Sequence, residues 1–291
     1  MSKSLKDYGL FYLAIFLLLV TVFVFYLNWQ NANRKLTFAM LDIGQGDALF
    51  IESPTGTQML IDAGPGNAVL KELPKVMPFW DRTIDAMVIT NPDADHISGF
   101  VDILKLYKLD TVFEPGTYNS SKLYKSINSE IKNQNIPDVL LRRGMQLDLG
   151  GGAYVEVLFP DRDVSEWSIN DGSAMMRLVY GDTKVMLTGD ATHKTENIVL
   201  GENTKENLDS DILKVGHHGS RTSTSMKFVE SVSPQYALIS SGEGNSYGHP
   251  HREVLNNLMS AKSQILRTDE SGTIIFKCAK IGVCKINKSK N

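Results

Sequence analysis

Two carboxylates and one imidazole lie close together at Asp93, Asp95 and His96. This segment follows an apolar run and precedes a stretch with helical spacing, so we predict a loop at the end of a strand. Side chains two residues apart in an extended loop can converge, and carboxylate and imidazole groups suit Zn²⁺ or Mn²⁺. The structural alternative is that Asp93 or Asp95 caps the following helix.

Three further groups of polar residues follow predicted strands. Asp190 comes after an apolar run and a glycine, although an aspartate in a turn is a common alternative. His217 and His218 lie between glycines after another apolar run, although surface histidines would look similar. His249 lies within Tyr247–His251, and a lone loop histidine is more often structural. Taken together at strand ends, where open α/β sheets place their sites, these groups predict a metal centre.

Hydrophobic periodicity predicts the elements that position these groups. Predicted strands cover residues 36–42, 48–52, 58–62, 84–90, 155–158, 175–180, 184–188, 212–215, 236–240 and 273–277. Predicted helices cover 98–107 and about 193–200, and one follows each of the strands 212–215 and 236–240. Strands cluster and helices follow in both halves, which predicts two packed sheets with helices outside, a four-layer α/β arrangement.

An apolar segment precedes this pattern. Residues 8–33 contain no charged side chain, and about 20 helical residues suffice to span the hydrocarbon core. Tyr26 and Trp29 fall where an aromatic belt would lie. A cleaved signal peptide is the alternative, but residues 28–33 offer a poor cleavage site. We therefore expect a single-pass membrane anchor with its linker in residues 1–35 and one domain in residues 36–291.

The two cysteines, Cys278 and Cys284, are flanked by strand-like residues. A hairpin could join them in a disulfide, which would suit an extracytoplasmic domain at the cell membrane, although two unrelated thiols remain the alternative. Basic residues flank the apolar segment on both sides, so the positive-inside rule is tied. Residues 36–291 carry 26 basic and 32 acidic side chains, which excludes a general basic footprint for nucleic acid.

Seven motifs, in this order, resemble the C-terminal metallo-β-lactamase-like domain of ComEC-type competence proteins, which are bacterial DNA-uptake channel proteins. The motifs are residues 42–48, 60–64, 91–96, 170–173, 189–190, 216–220 and 247–251. The resemblance covers residues 36–277 and implies a four-layer αββα metallo-β-lactamase sandwich that binds one or two Zn²⁺ or Mn²⁺ ions per chain. It implies metal ligands at Asn91, Asp93, Asp95, His96, Asp190 and His217, catalytic roles for Asp95, His218 and His249, and a supporting role for Asp62.

The sequence departs from these proteins in two respects. Their branch usually carries His-x-Asp-x-Asp-His, and Asn91 stands where the first histidine would be. An amide oxygen is a weaker, neutral ligand, so we expect one tight ion and one weak or absent ion. One apolar segment stands where those proteins have a multi-span channel, so we expect that this chain alone does not take up DNA.

These observations predict a membrane-anchored metal-dependent hydrolase, with a phosphodiester such as single-stranded DNA as the expected substrate. Lys214 or Arg221 could hold the phosphate. One alternative is a small-molecule ester or lactone hydrolase of the same fold, because fold does not determine substrate. Another is a degenerate, non-catalytic binding protein, which Asn91 favours. The sequence does not identify a protein partner.

Overall fold

A computed structural model describes the backbone of residues 5–32 and 34–290 and the side chains of residues 8–26 and 34–290. The strands are β1 (Leu36–Met40), β2 (Leu49–Glu52), β3 (Gln58–Ile61), β4 (Thr83–Val88), β5 (Lys108–Glu114), β6 (Asp138–Leu140), β7 (Gln146–Gly150), β8 (Ala153–Phe159), β9 (Met175–Tyr180), β10 (Thr183–Leu187), β11 (Ile212–Lys214), β12 (Tyr236–Ile239), β13 (Gln264–Arg267), β14 (Ile274–Cys278) and β15 (Lys285–Lys288). The α-helices are α1 (Leu5–Ala32), α2 (Ala68–Glu72), α3 (Ala94–Ile97), α4 (Phe100–Leu106), α5 (Lys122–Asn133), α6 (His193–Glu202), α7 (Lys205–Leu208), α8 (Met226–Val232), α9 (Arg252–Ser260) and α10 (Thr268–Ser271), and 3-10 turns cover Leu73–Lys75 and Gly216–Gly219.

The strands form two sheets. The first has the order β15-β14-β1-β2-β3-β4-β5-β6, and the second has the order β13-β12-β11-β10-β9-β8-β7. Because β14 pairs antiparallel with β1, the last part of the chain completes the sheet that the first strand begins. Strands β3, β4 and β5 run parallel, as do β10, β11, β12 and β13, so each sheet has an edge where several carboxyl ends meet.

Three buried apolar clusters separate four layers of secondary structure. Phe38 and Leu178 belong to the cluster between the two sheets. Leu60 and Phe100 belong to the cluster between the first sheet and its helices, and Leu213 belongs to the corresponding cluster under the helices of the second sheet. Both faces of each sheet are thus covered, which explains the nearly continuous apolar runs of the central strands. The four-layer αββα metallo-β-lactamase sandwich predicted from the sequence is confirmed.

The main differences from the sequence prediction lie at element ends and in residues 108–150. Strand β1 ends at Met40 rather than at residue 42, where the Asp42 N–H instead donates to Thr273 Oγ1 at 2.9 Å. Within residues 108–150 the prediction missed β5, α5, β6 and β7, and beyond that range it missed the strand β13. Charged residues alternate through β5, and β6 is a three-residue strand at the sheet edge, so neither presents the apolar run that marks a buried strand.

Helix α1 is long and apolar enough to cross a bilayer by length and composition. Its central stretch, Tyr8–Tyr26, has a mean hydropathy of 2.5 and no buried residue. At the other end of the chain, a disulfide joins Cys278 to Cys284, so the expected hairpin between β14 and β15 is confirmed.

Glu114 offers a test of packing at the end of β5. Burial, followed by repulsion from Asp138, raises the pKa of Glu114 from 4.5 to about 7. A raised folded-state pKa contributes stability that is present below the unfolded value and is lost as the pH rises through about 7. We expect Glu114→Gln to be more stable than the wild type at pH 8 and nearly equal at pH 5, as measured by urea midpoints. An equal difference at both pH values would contradict this assignment.

Candidate metal centre

The predicted polar clusters meet at one end of the two sheets. The chain reaches this end after β4, β10, β11 and β12, because the carboxyl ends of these strands lie at the same edge of the sandwich. Together they form an open, shallow pocket of about 160 Å³. It is lined by Gln45, Asp93, Asp95, Asp190, His217, His218, Tyr247 and His249.

Four side chains at the base of this pocket have the spacing of a metal-ligand set. His96 Nε2 lies 3.2 Å from Asp190 Oδ2, and His218 Nε2 lies 3.3 Å from Asp95 Oδ2 and 3.7 Å from Asp190 Oδ2. Two donor atoms about 2.1 Å from a tetrahedral ion would be roughly 3.4 Å apart. The Nε2 atoms of His96 and His218 are buried without a hydrogen-bond partner, which is costly unless a ligand satisfies them. The site therefore fits a divalent cation.

Hydrogen bonds behind the two imidazoles turn their Nε2 atoms into the pocket. His96 Nδ1 is 2.8 Å from Asp62 Oδ2, and Asp62 also accepts the Thr90 N–H at 2.8 Å. His218 Nδ1 lies 3.1 Å from the carbonyl oxygen of Ser240. Such partners orient metal-binding histidines and raise the basicity of their free nitrogen. Asp62 thus lies beneath the site, where the sequence analysis expected a supporting residue.

A buried ion pair lies under the pocket. Lys214 is fully buried, and its Nζ contacts Asp47 and donates to the Gly189 carbonyl at 2.7 Å. The same Nζ is 3.9 Å from Asp190 Oδ1, while Asp47 Oδ1 is 3.5 Å from His218 Nδ1. The suggestion that Lys214 could hold a substrate phosphate is wrong, because the ammonium group is enclosed and engaged. It instead offsets carboxylate charge beneath the site.

Unusual backbone geometry lets two adjacent histidines serve one pocket. His217 and His218 have φ values of 47° and 55°, in a left-handed region that costs of order 1–3 kcal/mol for a residue other than glycine. Gly219 follows at φ 84°, and a Cβ there would lie 2.5 Å from Pro250 Cβ. Gly46 likewise allows a close approach to the loop that carries Asp93, Asp95 and His96, since a Cβ on Gly46 would lie 2.1 Å from the Asp95 carbonyl oxygen.

The buried ionisable groups at the base of the pocket shift one another's pKa values. Burial lowers the pKa of His96, but Asp190 and Asp62 outweigh it and hold that pKa well above its ordinary value. Burial likewise opposes the charge on His218, yet Asp190 and Asp47 raise its pKa to about 9. Burial raises the pKa of Asp190, and the two histidines bring it well below normal. Positive charge therefore stabilises the buried carboxylates, and a divalent ion with neutral imidazole ligands would supply it.

Two histidines lie nearer the mouth of the pocket. His217 Nε2 is 3.7 Å from Asp190 Oδ2, and its Nδ1 is 3.1 Å from Thr222 Oγ1. His249 stacks on Tyr247 with ring centroids 5.7 Å apart. Burial and the neighbouring His218 lower the pKa of His249 to about 4. The resemblance implied catalytic roles for both His218 and His249, and the structure places His249 at the rim of the pocket and buries His218.

Asn91 is buried, and both polar atoms of its amide have protein partners. Its Nδ2 donates to Asn170 Oδ1 at 2.8 Å, and its Oδ1 accepts the Asp93 N–H at 2.9 Å. Asn91 does not line the pocket, whereas Asp93 does. Burial and repulsion from Asp95 raise the pKa of Asp93. Sequence reasoning did not single out Gln45 as a pocket residue, although its place between Gly44 and Gly46 in the first motif was a usable signal.

The fold and this centre are those of a metallo-β-lactamase-type protein. The chain belongs to the metallo-beta-lactamase superfamily, whose family model matches residues 41–243. Within that class its relatives include a competence protein. It is 31% identical to ComE operon protein 3 of Bacillus subtilis over 82% of this chain and 32% of that protein. It is 29% identical to competence protein ComA of Neisseria gonorrhoeae over 91% of this chain and 36% of that protein.

The chain therefore spans about a third of the length of these relatives. Among solved structures, the diiron β-hydroxylase CmlA of Streptomyces venezuelae superposes with a TM-score of 0.54 and 13% identity, over 88% of this chain and 54% of that one. That likeness shows the shared fold alone, since one fold hosts many reactions.

The buried pair of Lys214 and Asp47 generates a stability prediction. Removing one partner of a buried ion pair leaves an uncompensated charge, so Lys214→Met should lower the free energy of unfolding by about 3–5 kcal/mol. Urea denaturation of chelator-treated protein measures this loss without a contribution from bound metal. Adding Asp47→Asn to Lys214→Met should restore part of the stability. If the double variant is as unstable as the two single changes added together, the two side chains do not act as a pair.

Proposed function

We propose that this protein is a membrane-anchored, metal-dependent phosphodiesterase. The observation that carries the proposal is the donor set Asp95, His96, Asp190 and His218, in which three carboxylate–imidazole pairs lie 3.2 Å, 3.3 Å and 3.7 Å apart, close to the spacing of two donors on one ion. The ion would be Zn²⁺ or Mn²⁺, because imidazole and carboxylate donors suit both. Residues 36–291 would form the hydrolase domain, and residues 1–35 would form the tail, anchor and linker.

A bound divalent ion would supply Lewis-acid polarisation and a lowered pKa for a coordinated water. The chain itself positions the ligands through Asp62, Lys214 and the strained backbone of His217 and His218. The neutral imidazole of His249 can hydrogen-bond a substrate oxygen at the rim.

The choice of a phosphodiester rests on the relatives and on the pocket mouth. One of the two relatives is named a competence protein, and the resemblance to DNA-uptake proteins makes DNA the natural candidate substrate. Tyr247 is exposed beside the pocket and stacked on His249, so a base of a single strand could stack on it. Arg221 is exposed and could contact a phosphate. The net negative charge of the domain predicts weak, salt-sensitive binding rather than tight binding of long DNA.

The anchor and orientation are part of the same proposal. Helix α1 has the length and hydropathy for a single span, and the disulfide between Cys278 and Cys284 suits an oxidising compartment. We infer that the domain faces outward from the cell membrane. Protease added to intact cells should then digest it, and protection until lysis would exclude this orientation.

The donor set yields a direct metal test. Asp190→Ala should reduce the affinity for Zn²⁺ and Mn²⁺ by at least about 10–100-fold, because this carboxylate lies within reach of three histidines. Hydrolysis of bis-p-nitrophenyl phosphate and of single-stranded DNA should fall in parallel. Asp171→Ala is the matched control, since Asp171 contacts Thr192 and Lys194 and does not line the pocket. Undiminished metal binding by Asp190→Ala would refute the proposed ligand set.

Asn91 generates a second prediction about the metal. We expect one tightly bound ion in the wild type and a metal content that approaches two in Asn91→His, because an imidazole replaces an amide whose atoms Asn170 and Asp93 already use. Turnover should rise as well, since two ions can hold both the attacking and leaving oxygens. Metal analysis and rates for both proteins provide the measurement. Two tight ions in the wild type would contradict the prediction.

The contact between Asn91 and Asn170 also favours a second candidate function. The side-chain amides of Asn91 and Asn170 are hydrogen-bonded to each other, so neither is directed at a metal ion. Such an arrangement is expected in a degenerate, non-catalytic binding protein. Absence of bound metal from both the wild type and Asn91→His would support this alternative over hydrolysis.

A further inference from the structure

Exposed apolar side chains gather at the end of the domain opposite the metal centre. Within residues 34–290, nine large hydrophobic side chains are exposed, and five of them, with exposures between 53% and 82%, lie at this end beside the first sheet. The five are Phe79, Trp80, Leu106, Ile281 and Val283. Single exposed hydrophobic residues are ordinary, but a group concentrated at one end indicates an interaction surface.

Strand directions place these residues together. Strands β1, β3, β4 and β5 all begin at this end and run toward the metal centre, while β14 runs the other way and finishes here. Trp80 lies shortly before β4 begins, Leu106 shortly before β5, and Ile281 and Val283 in the turn after β14. The first sheet therefore presents them along a single edge.

Pairing across the sheet defines this edge. Leu36 of β1 pairs with Cys278 of β14. On the other side of β1, Thr37 pairs with Glu52 of β2, and Glu52 pairs with Gln58 of β3. The Gln58 side chain then donates to Asp81 at 2.8 Å, next to Trp80 in the chain. The disulfide hairpin, the start of β1 and the Phe79–Trp80 loop thus lie in one row.

The apolar helix joins the domain in the middle of that row. Helix α1 ends at Ala32 and β1 begins at Leu36, so only a few residues separate them. At about 4.8 Å between strands, the hairpin lies roughly 5 Å to one side of β1, and the Phe79–Trp80 loop lies roughly 14 Å to the other. Apolar groups therefore flank the anchor on both sides.

The chemistry of these groups suits the boundary of a bilayer. Phe79 and Trp80 form an edge-to-face pair with ring centroids 5.0 Å apart, and tryptophan is enriched at membrane interfaces. The disulfide between Cys278 and Cys284 closes a short loop that holds the branched side chains of Ile281 and Val283 outward. Each group is attached to the end of a strand, so the domain presents them without refolding.

We propose that Phe79, Trp80, Leu106, Ile281 and Val283 form a membrane-contact face that lies in the lipid interface around the anchor. This proposal rests on the proposed membrane anchorage of α1. With three points of attachment along one edge, the domain has a fixed orientation. The metal centre then points away from the bilayer, since β1 alone extends about 17 Å in that direction. The site would act on substrates in the aqueous phase rather than on lipids.

Quenching of tryptophan fluorescence by brominated lipid tests the face in the full chain. The chain has three tryptophans, Trp29, Trp80 and Trp167. The full-length Trp29→Phe protein and the Trp29→Phe/Trp80→Phe protein are each reconstituted in phosphatidylcholine vesicles. The difference between their fluorescence emissions is the emission of Trp80. Interfacial side chains enter the headgroup and acyl boundary by about 5–10 Å, so brominated acyl chains should quench the Trp80 signal roughly twofold.

Two substitutions in the Trp29→Phe/Trp80→Phe background extend the test to the rest of the domain. Ile281→Trp should be quenched to a similar degree, because it lies on the same edge. Tyr118→Trp is the matched control, since Tyr118 is also exposed but belongs to the loop after β5, at the metal-centre end. Its emission should be unaffected by the brominated lipid.

The Trp80→Phe protein retains Trp29, so quenching of the Trp29 fluorescence in this protein tests the anchor separately. Quenching of Trp29 without quenching of Trp80 and Ile281→Trp would overturn the contact face while leaving the anchor intact, and would direct the search to a protein partner for this surface. Quenching of Tyr118→Trp as strong as that of Trp80 would overturn the orientation. If Trp29 itself is not quenched, the anchor fails and the contact face fails with it.

Discussion

The balance of buried charge at the metal centre is the constraint on which the rest of the site depends. Asp47, Asp62 and Asp190 are buried at the base of the pocket, and isolated carboxylates in such a place would be very costly. Lys214 offsets part of this charge from below, and His96 and His218 face the carboxylates from the pocket. A bound cation would complete the balance without requiring protonated histidines, which would explain why the proposed ligands and the hydrogen-bonding residues behind them occur together.

The sandwich makes this concentration of charge possible because most of its apolar packing lies away from the site. Apolar clusters fill all three spaces between the layers, so the strands are packed on both faces by residues that are not part of the site. The strand ends can then carry polar and strained residues, such as His217 and His218 in left-handed conformations. The same architecture supports a β-hydroxylase in a solved relative of the fold, so the residues at the strand ends, rather than the fold, define the chemistry.

Direction along the sheet links the proposed site to the proposed membrane contact. A set of parallel strands has a carboxyl end and an amino end. In this domain the carboxyl end carries the proposed ligands, and the amino end carries the apolar helix and the exposed aromatic and aliphatic residues. A protein built this way presents its polar site to the aqueous phase because its apolar end prefers the interface.

Features that depend on residue type and local order could be predicted from the sequence. These were the fold, the apolar segment and the loops at the strand ends that carry the polar clusters, because periodicity, turn glycines and strand-end carboxylates are local signals. The disulfide was one of two alternatives until the structure paired Cys278 with Cys284. The sequence did not distinguish His217 from His218, since adjacent histidines share one sequence signal. In the structure the His218 ring is buried, with Nδ1 3.1 Å from the carbonyl oxygen of Ser240, 22 residues away. Likewise, Lys214 resembles a substrate-binding lysine until Asp47, distant in sequence, encloses it. Contacts between segments far apart in the chain settle such questions, and no local pattern contains them.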